Sequence, residues 1–480
     1  MAELLCARIY AKFFIALLFI IAGISGHFID LLHIEMNADI IGATMQSDKR
    51  EIGDYLTMKF ALHLGLFVGI SLVLLCLIRT KKANLKSALL QKGAIIFALC
   101  VAISALYVTQ GQKIIIAFKN QKLILVANPF APIRAVADYV IRIIETPTTY
   151  TYLGDDAKTN AKNKLFVLVI GESARAQNFA YSGYERDTNP YTKAIDNLIY
   201  FSDFTSCGVI TAISVPCMLT TYTHKNYKRN LSHYSDSLLD VAQKAGYSVF
   251  WISNNGGGCI GGVCDRLDKR NVIYFNKNGQ MDGDMLGAIQ KIIDLTNTND
   301  GGGDRLNADS HKNPRKSNNL FIVIQLLGSH GARYDLRYPK EFEKFTPVCD
   351  KNELSKCDKV AIRNAYDNSL IYTDFVVSEI IKALQSSAVA DTMLWYISDH
   401  GESLGEYNQY MHGGLPYTIA PSAQTHISSY LWAKNPRDSH YEILKGRKAH
   451  KFSQDFVFHT LLTLLEIHTK DYDKSLDMTK

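Results

Sequence analysis

The chain has 480 residues, 47% of them hydrophobic, with 52 Lys and Arg against 46 Asp and Glu and a mean hydropathy of −0.03. These averages exclude a disordered chain, which is less apolar, a collagen, which is richer in Gly and Pro, and a polytopic transporter, which is far more apolar. The charge is unevenly spread: residues 1–132 carry 13 basic and 7 acidic side chains, while the remainder carries 39 of each.

Three stretches of that first quarter lack any charged side chain: residues 13–29, 60–78 and 93–112. A helix needs roughly 20 mainly apolar residues to cross a bilayer. The expectation is a transmembrane anchor over residues 1–112, with helices at about 13–32, 58–78 and 93–112. A cleaved signal peptide would account for the first run only. The connection between runs two and three carries Arg79, Lys81, Lys82, Lys86 and Lys92 without an acid, whereas segment 33–57 is mainly acidic. Basic connections stay in the cytoplasm. The N-terminus is therefore expected inside, and everything after about residue 112 outside. Lys113, Lys119 and Lys122 then follow among apolar residues, as a juxtamembrane linker (113–161) or a strip on anionic headgroups.

Of nine cysteines, Cys6, Cys76 and Cys100 lie in this quarter. The other six form three close pairs in sequence. Six cysteines allow 15 connectivities, and short separations favour local pairing in a compartment that permits disulfides. No C-x2-C spacing of a zinc ribbon occurs.

Beyond residue 162 the pattern alternates. Short β-rich runs at 165–170, 248–253, 320–327 and 393–398 are separated by helix-period segments such as 237–245 and 361–384. Such alternation predicts an α/β domain over 162–480, its mainly parallel sheet sandwiched by helices. Residues 294–319 are polar and Gly/Asn-rich and read as a surface loop. Sites in parallel sheets sit beyond the carboxyl ends of strands. Those ends carry Glu172, the Ser329-His330-Gly331 step and Asp399-His400, with His412 further on. Asp, Glu and His are zinc ligands, so a shared metal site is the better reading. A metal also activates a hydroxyl nucleophile. Segment 205–217 offers Thr205, Thr211 and Ser214, and spacing does not choose among them.

The series GESAR (171–175), SGYERDTNP (182–190), TSCG…T…SVPCM (205–218), SHG (329–331), NAYDNS (364–369) and SDHGESLGE (398–406) resembles the lipid A phosphoethanolamine transferases. That family includes the mobile colistin-resistance enzymes, within the alkaline-phosphatase/sulfatase superfamily. The resemblance implies a helical membrane domain and a sulfatase-like extracytoplasmic domain. It places the nucleophile on Thr211 and zinc ligands on Glu172, Thr211, Asp399 and His400, with room for a second zinc. His330 and His412 become further active-site and substrate-binding groups. Disulfides fall on Cys207–Cys217, Cys259–Cys264 and Cys349–Cys357. Glu51 and Ser47 fall on headgroup-binding positions of the first outer loop. Two departures stand out. The family usually has five membrane helices where three runs appear here, two N-terminal ones being missing. The chain also reads Cys259-Ile260-Gly261-Gly262-Val263-Cys264 where many members place a Lys between the cysteines, so that a phosphate contact is either lost or supplied elsewhere, for example by Arg175 or Lys225.

The implied activity is zinc-dependent transfer of phosphoethanolamine from phosphatidylethanolamine to lipid A through a phosphothreonine, which lowers surface charge and so gives resistance to polymyxin and other cationic peptides. The implied place is the inner membrane of a Gram-negative bacterium, with the catalytic domain in the periplasm. A monomer without a nucleic-acid partner is expected. Alternatives are phosphoethanolamine or phosphoglycerol transfer to another envelope glycan or a surface protein, and a non-catalytic envelope-binding protein. A sulfatase proper is disfavoured, because Met218 stands where the C/S-x-P-x-R signature requires Arg.

Overall fold

The structure is a computed structural model describing residues 2–32, 36–46, 56–78, 127–144, 149–294 and 319–480, apart from 257, 276–278 and 414, together with scattered positions such as 53 and 101. Ser47, Glu51, the basic connection 79–92, most of the third apolar run, the strip 113–126 and the loop interior 295–318 lie outside the described residues. The chain divides into two compact units, residues 1–41 with 55–141, and residues 42–54 with 142–480.

In the first unit, helix α1 spans Ala2–Leu32. It starts well before residue 13, because Arg8 and Lys12 are good helix formers even though they are poor membrane residues. Its window Tyr10–Leu31 and a second helix, α2 (Met58–Leu77), are each long and apolar enough to cross a membrane. They approach closely at Gly23, where an added Cβ would stand 2.3 Å from Val68 Cγ2. Lys12 Nζ caps the end of α2 on Ile78 O at 2.8 Å. Within the stretch expected as a juxtamembrane linker lies helix α3 (Phe130–Ile144). Its Ala, Ile and Val content supports a helix with one packed side.

The second unit is built on a seven-stranded sheet. Its strands are β1 (Lys164–Gly171), β2 (Leu198–Tyr200), β3 (Ser248–Ser253), β4 (Val272–Tyr274), β5 (Leu320–Gln325), β6 (Asp391–Ser398) and β7 (Ser429–Ala433). Their spatial order is β2-β7-β6-β1-β5-β3-β4. All neighbours pair in parallel except β7, which runs antiparallel to both β6 and β2. β1 lies between β5 and β6 and is buried along its whole length, which is why it reads as an unbroken apolar run rather than an alternation. Phe166, Leu168 and Ile170 enter one core layer with Val215, Leu238 and Phe458. Leu165, Val167 and Val169 enter the opposite layer with Tyr366, Val376 and Ile289. The first layer is covered by α4 (Thr211–Met218), α5 (Leu238–Lys244) and α7 (Val457–Leu464), the second by α6 (Lys359–Ser386) and the helix Leu286–Asp294.

Register decides where chemistry collects. Ile170 stands opposite both Gln325 and Ile397, Gly171 opposite Ser398, and Ser253 opposite Gln325. The C-terminal ends of β1, β3, β5 and β6 are therefore level. The residues that follow them emerge along one edge of the sheet.

Candidate metal centre and active site

Four segments leave that edge. After β1 come Glu172 and Ser173, after β6 Asp399 and His400, after β3 Asn254 and Asn255, and after β5 the loop to His330. Glu172, Asp399 and His400 are buried. Thr211 arrives from another direction, as the first residue of α4, and is partly exposed. Its Oγ1 donates to Glu172 Oε2 at 3.1 Å and lies 3.2 Å from His400 Nε2. The other hydroxyls of the segment face elsewhere. Thr205 Oγ1 turns to Phe452 O, and Ser214 Oγ, fully buried, to Gly208 O.

The donor set fits a cation. His400 Nδ1–H donates to Gly401 O at 2.9 Å, leaving the Nε2 lone pair toward the cluster. Asp399 Oδ1 accepts from the backbone N–H of Ser173 and His400. Its Oδ2 is buried, accepts no hydrogen bond, and lies 3.1 Å from His400 Nε2. An orphaned carboxylate oxygen beside an imidazole lone pair is costly unless a cation sits between them. The protonation tendencies agree. Burial, with the charge of Glu172 beside it, drives Asp399 well above the usual carboxylate range. Burial, with His412 adjacent, pushes His400 down to about 3, so its imidazole is neutral and ready to ligate. Ligand atoms of Glu172, His400 and His412 lie within 4.8 Å of one another.

The structure thus gathers Glu172, Thr211, Asp399, His400 and His412 in one cluster. The His330 ring stands edge-on to His412, centroids 5.9 Å apart. Cys207–Cys217, Cys259–Cys264 and Cys349–Cys357 are disulfide-bonded, the first bracketing Thr211. Arg175 does not face the site as a free cation. Its guanidinium is buried and held by Asn178 Oδ1, Glu402 O and Glu406 Oε1.

Several supporting residues go beyond those to which the sequence points. Asn255 Nδ2 donates to Glu172 Oε2 at 2.7 Å. The rule that located Glu172 and Asp399 points to it, since it follows the end of β3. Glu402, fully buried, accepts from His412 Nδ1–H at 2.7 Å and from Tyr334 Oη–H. It fixes the imidazole so that Nε2 is the nitrogen left for chemistry. Ser173 adopts φ +57°, a strained conformation for a residue with a Cβ. Tyr366 Oη holds that turn by donating to Ser173 O and accepting from Arg175 N–H. Asp282 receives the N–H groups of Leu327 and Gly328. Gly328 has φ +49°, and an added Cβ would meet Glu172 O at 2.9 Å. Gln454 receives Cys207 N–H and donates to Ser398 O and Asp399 O. That one side chain ties the loop before Thr211 to the ligand-bearing end of β6.

The chain is similar to known proteins over nearly its whole length. The sulfatase family matches residues 164–467, and the phosphoethanolamine transferase EptA/EptB family matches residues 1–143. Phosphoethanolamine transferase EptA of Salmonella typhimurium is 32% identical over 99% of this chain and 86% of that protein. The chain belongs to the phosphoethanolamine transferase family. Phosphatidylethanolamine transferase Mcr-1 of Escherichia coli is 31% identical over 98% of the chain and 86% of its own length. The structure of the integral membrane lipooligosaccharide phosphoethanolamine transferase A of Neisseria meningitidis superposes with a TM-score of 0.84 at 29% identity, covering 97% of this chain and 86% of that one. As a member of this transferase family, the chain has the sulfatase/alkaline-phosphatase-like fold with an apolar helical N-terminal part.

Proposed function

We propose that the protein moves phosphoethanolamine from phosphatidylethanolamine to lipid A, with Thr211 as the covalent carrier. The observation that carries this reading is the placement of Thr211 Oγ1 between Glu172 Oε2 and His400 Nε2 at the partly exposed start of α4. The donor and acceptor are supported by relatives described as phosphatidylethanolamine and lipooligosaccharide transferases. The apolar N-terminal helices followed by a sulfatase-like domain support an inner-membrane protein whose catalytic domain faces the periplasm.

Glu172, Asp399, His400 and Thr211 would hold zinc, whose Lewis acidity lowers the hydroxyl's pKa and offsets charge on phosphoryl oxygens. Glu172 orients the threonine hydroxyl by accepting its hydrogen bond. The first residues of a helix carry N–H groups without intrahelical acceptors, which suits an incoming phosphoryl group. In the first half-reaction a bond forms between Thr211 Oγ1 and phosphorus, and the phosphorus–oxygen bond to glycerol breaks. Glu172 accepts the threonine proton. His412, oriented by Glu402, delivers a proton from Nε2 to the departing diacylglycerol oxygen. In the second, a phosphate oxygen of lipid A attacks phosphorus, the bond from phosphorus to Thr211 Oγ1 breaks, Glu172 returns the proton to that oxygen, and His412 recovers its proton from the attacking phosphate. His330, across from His412, stands where it would contact the phosphodiester.

The test is Thr211→Ala in the full chain. Mass spectrometry of lipid A should show complete loss of the added phosphoethanolamine while the protein stays folded and in the membrane. Retained transfer would overturn the assignment.

A further inference from the structure

Helix α3 has three differently occupied sides. Successive residues step about 100° around a helix. One stripe, Ala131 and Ala135, is buried, and Ala131 forms a small buried cluster with Met36, against which Phe28, Ile29 and Ile40 pack. A second row is charged, with Arg134 Nε 3.4 Å from Asp138 Oδ2. The rest is apolar and uncovered: Phe130, Ile133, Val136, Val140 and Ile141 are between 40% and 67% exposed. These five share an arc of roughly 140° on a 3.6-residue helix, and no charged residue falls within it.

The start of α3 is fixed in height against α1. Asn128 Nδ2 donates to Ala22 O at 2.7 Å, and Asn128 Oδ1 accepts from Ser25 Oγ at 2.8 Å. Ala22 precedes Leu31, the end of the apolar window, by about 14 Å at 1.5 Å per residue. One leaflet's share of the hydrocarbon core is about 15 Å. A segment whose Asn128 stands level with Ala22 and Ser25 starts inside the hydrocarbon of that leaflet. An apolar arc at that depth faces acyl chains. The Arg134–Asp138 row, turned away from the centre of the arc, takes the headgroup side. This is the layout of a helix lying in the interface.

We propose that α3 is embedded in the leaflet that holds the C-terminal half of α1, with the arc Phe130–Ile133–Val136–Val140–Ile141 in contact with lipid acyl chains. The anchor then includes, besides its membrane-crossing helices, an in-plane helix set directly before the catalytic unit.

The test uses the full chain in vesicles of phosphatidylethanolamine and phosphatidylglycerol. Cys6, Cys76 and Cys100 are replaced by Ser, and a single fluorescent label is placed at Ile133→Cys, Val140→Cys or Asp138→Cys. Labels at 133 and 140 should be quenched by brominated lipid and lose quenching by aqueous iodide. The label at 138 should respond to iodide. Either of two results overturns the proposal: iodide quenching of all three positions alike, which would put the arc in water, or loss of both quenchers at 133 and 140, which would mean that protein covers it. Two independent arc positions keep the outcome readable if one variant fails to fold.

Discussion

The two units put the same kinds of side chain in opposite places. In the first, Phe13 and Leu77 are 69% and 70% exposed. In the second, Phe166 and Leu168 are fully buried between sheet and helices. Each arrangement is favourable only in its own solvent. Apolar surface turned outward belongs in hydrocarbon, and apolar surface turned inward is what water drives together. A mean hydropathy near zero is the average of these opposites. Function follows the same division: polar groups that would be intolerable in the first unit are gathered at one sheet edge of the second.

The largest expected effect tests whether the polar edge depends on a cation. Chelation should abolish transfer and lower the unfolding temperature of the catalytic unit, with both restored by added zinc. A site indifferent to chelator would break the comparison at its centre. Next, Leu168→Ala should destabilise the catalytic unit by about 2–5 kcal/mol through transfer and cavity terms. Leu74→Ala, on the exposed side of α2, should leave thermal unfolding of the detergent-solubilised chain nearly unchanged. Equal shifts would mean that the two units share one kind of interior. Tyr366→Phe keeps the ring but removes the two hydrogen bonds at the Ser173 turn. It should weaken metal binding by about 10- to 100-fold, as loss of a ligand-orienting partner does, measured by competition with a chromogenic chelator. The smallest effect concerns Asp438, which caps helix Ser439–Gly446 by accepting the N–H groups of His440 and Tyr441. Asp438→Ala should cost about 1 kcal/mol. Hydrogen bonding from His440, against partial burial, lowers this carboxyl to about 2. Its contribution is therefore present above the ordinary value near 3.8 and is lost as pH falls toward 2. Acid titration of the wild type and the variant should converge in that window.

Much of the catalytic unit was legible because its strands are buried on both faces and read as continuous apolar runs. Glu172 and Asp399-His400 stood out because they directly follow such runs. Thr211 was not separable from Thr205 and Ser214 by spacing, since only the start of α4 and its approach to Glu172 distinguish them. Asn255 could have been found by applying the strand-end rule to β3 as well. Tyr334, Asp282 and Gln454 carried no such signal. Their roles arise from contacts between segments far apart in sequence, as with Gln454 and Ser398, and single polar residues leave no periodic trace. Helix α3 leaves little trace in the sequence, because its 15 residues are too few to cross a membrane and its apolar arc is interrupted along the chain by charged and small residues.

Gln454 has a consequence for the order in which the protein comes into being. It joins the N–H of Cys207 to the carbonyls of Ser398 and Asp399, and it follows Glu172, Thr211 and Asp399 in the chain. The loop before Thr211 and the end of β6 are therefore not tied through this side chain until the segment that carries Gln454 has left the ribosome. A nascent chain cut short before residue 454 would hold Glu172, Thr211, Asp399 and His400 without that tie between them.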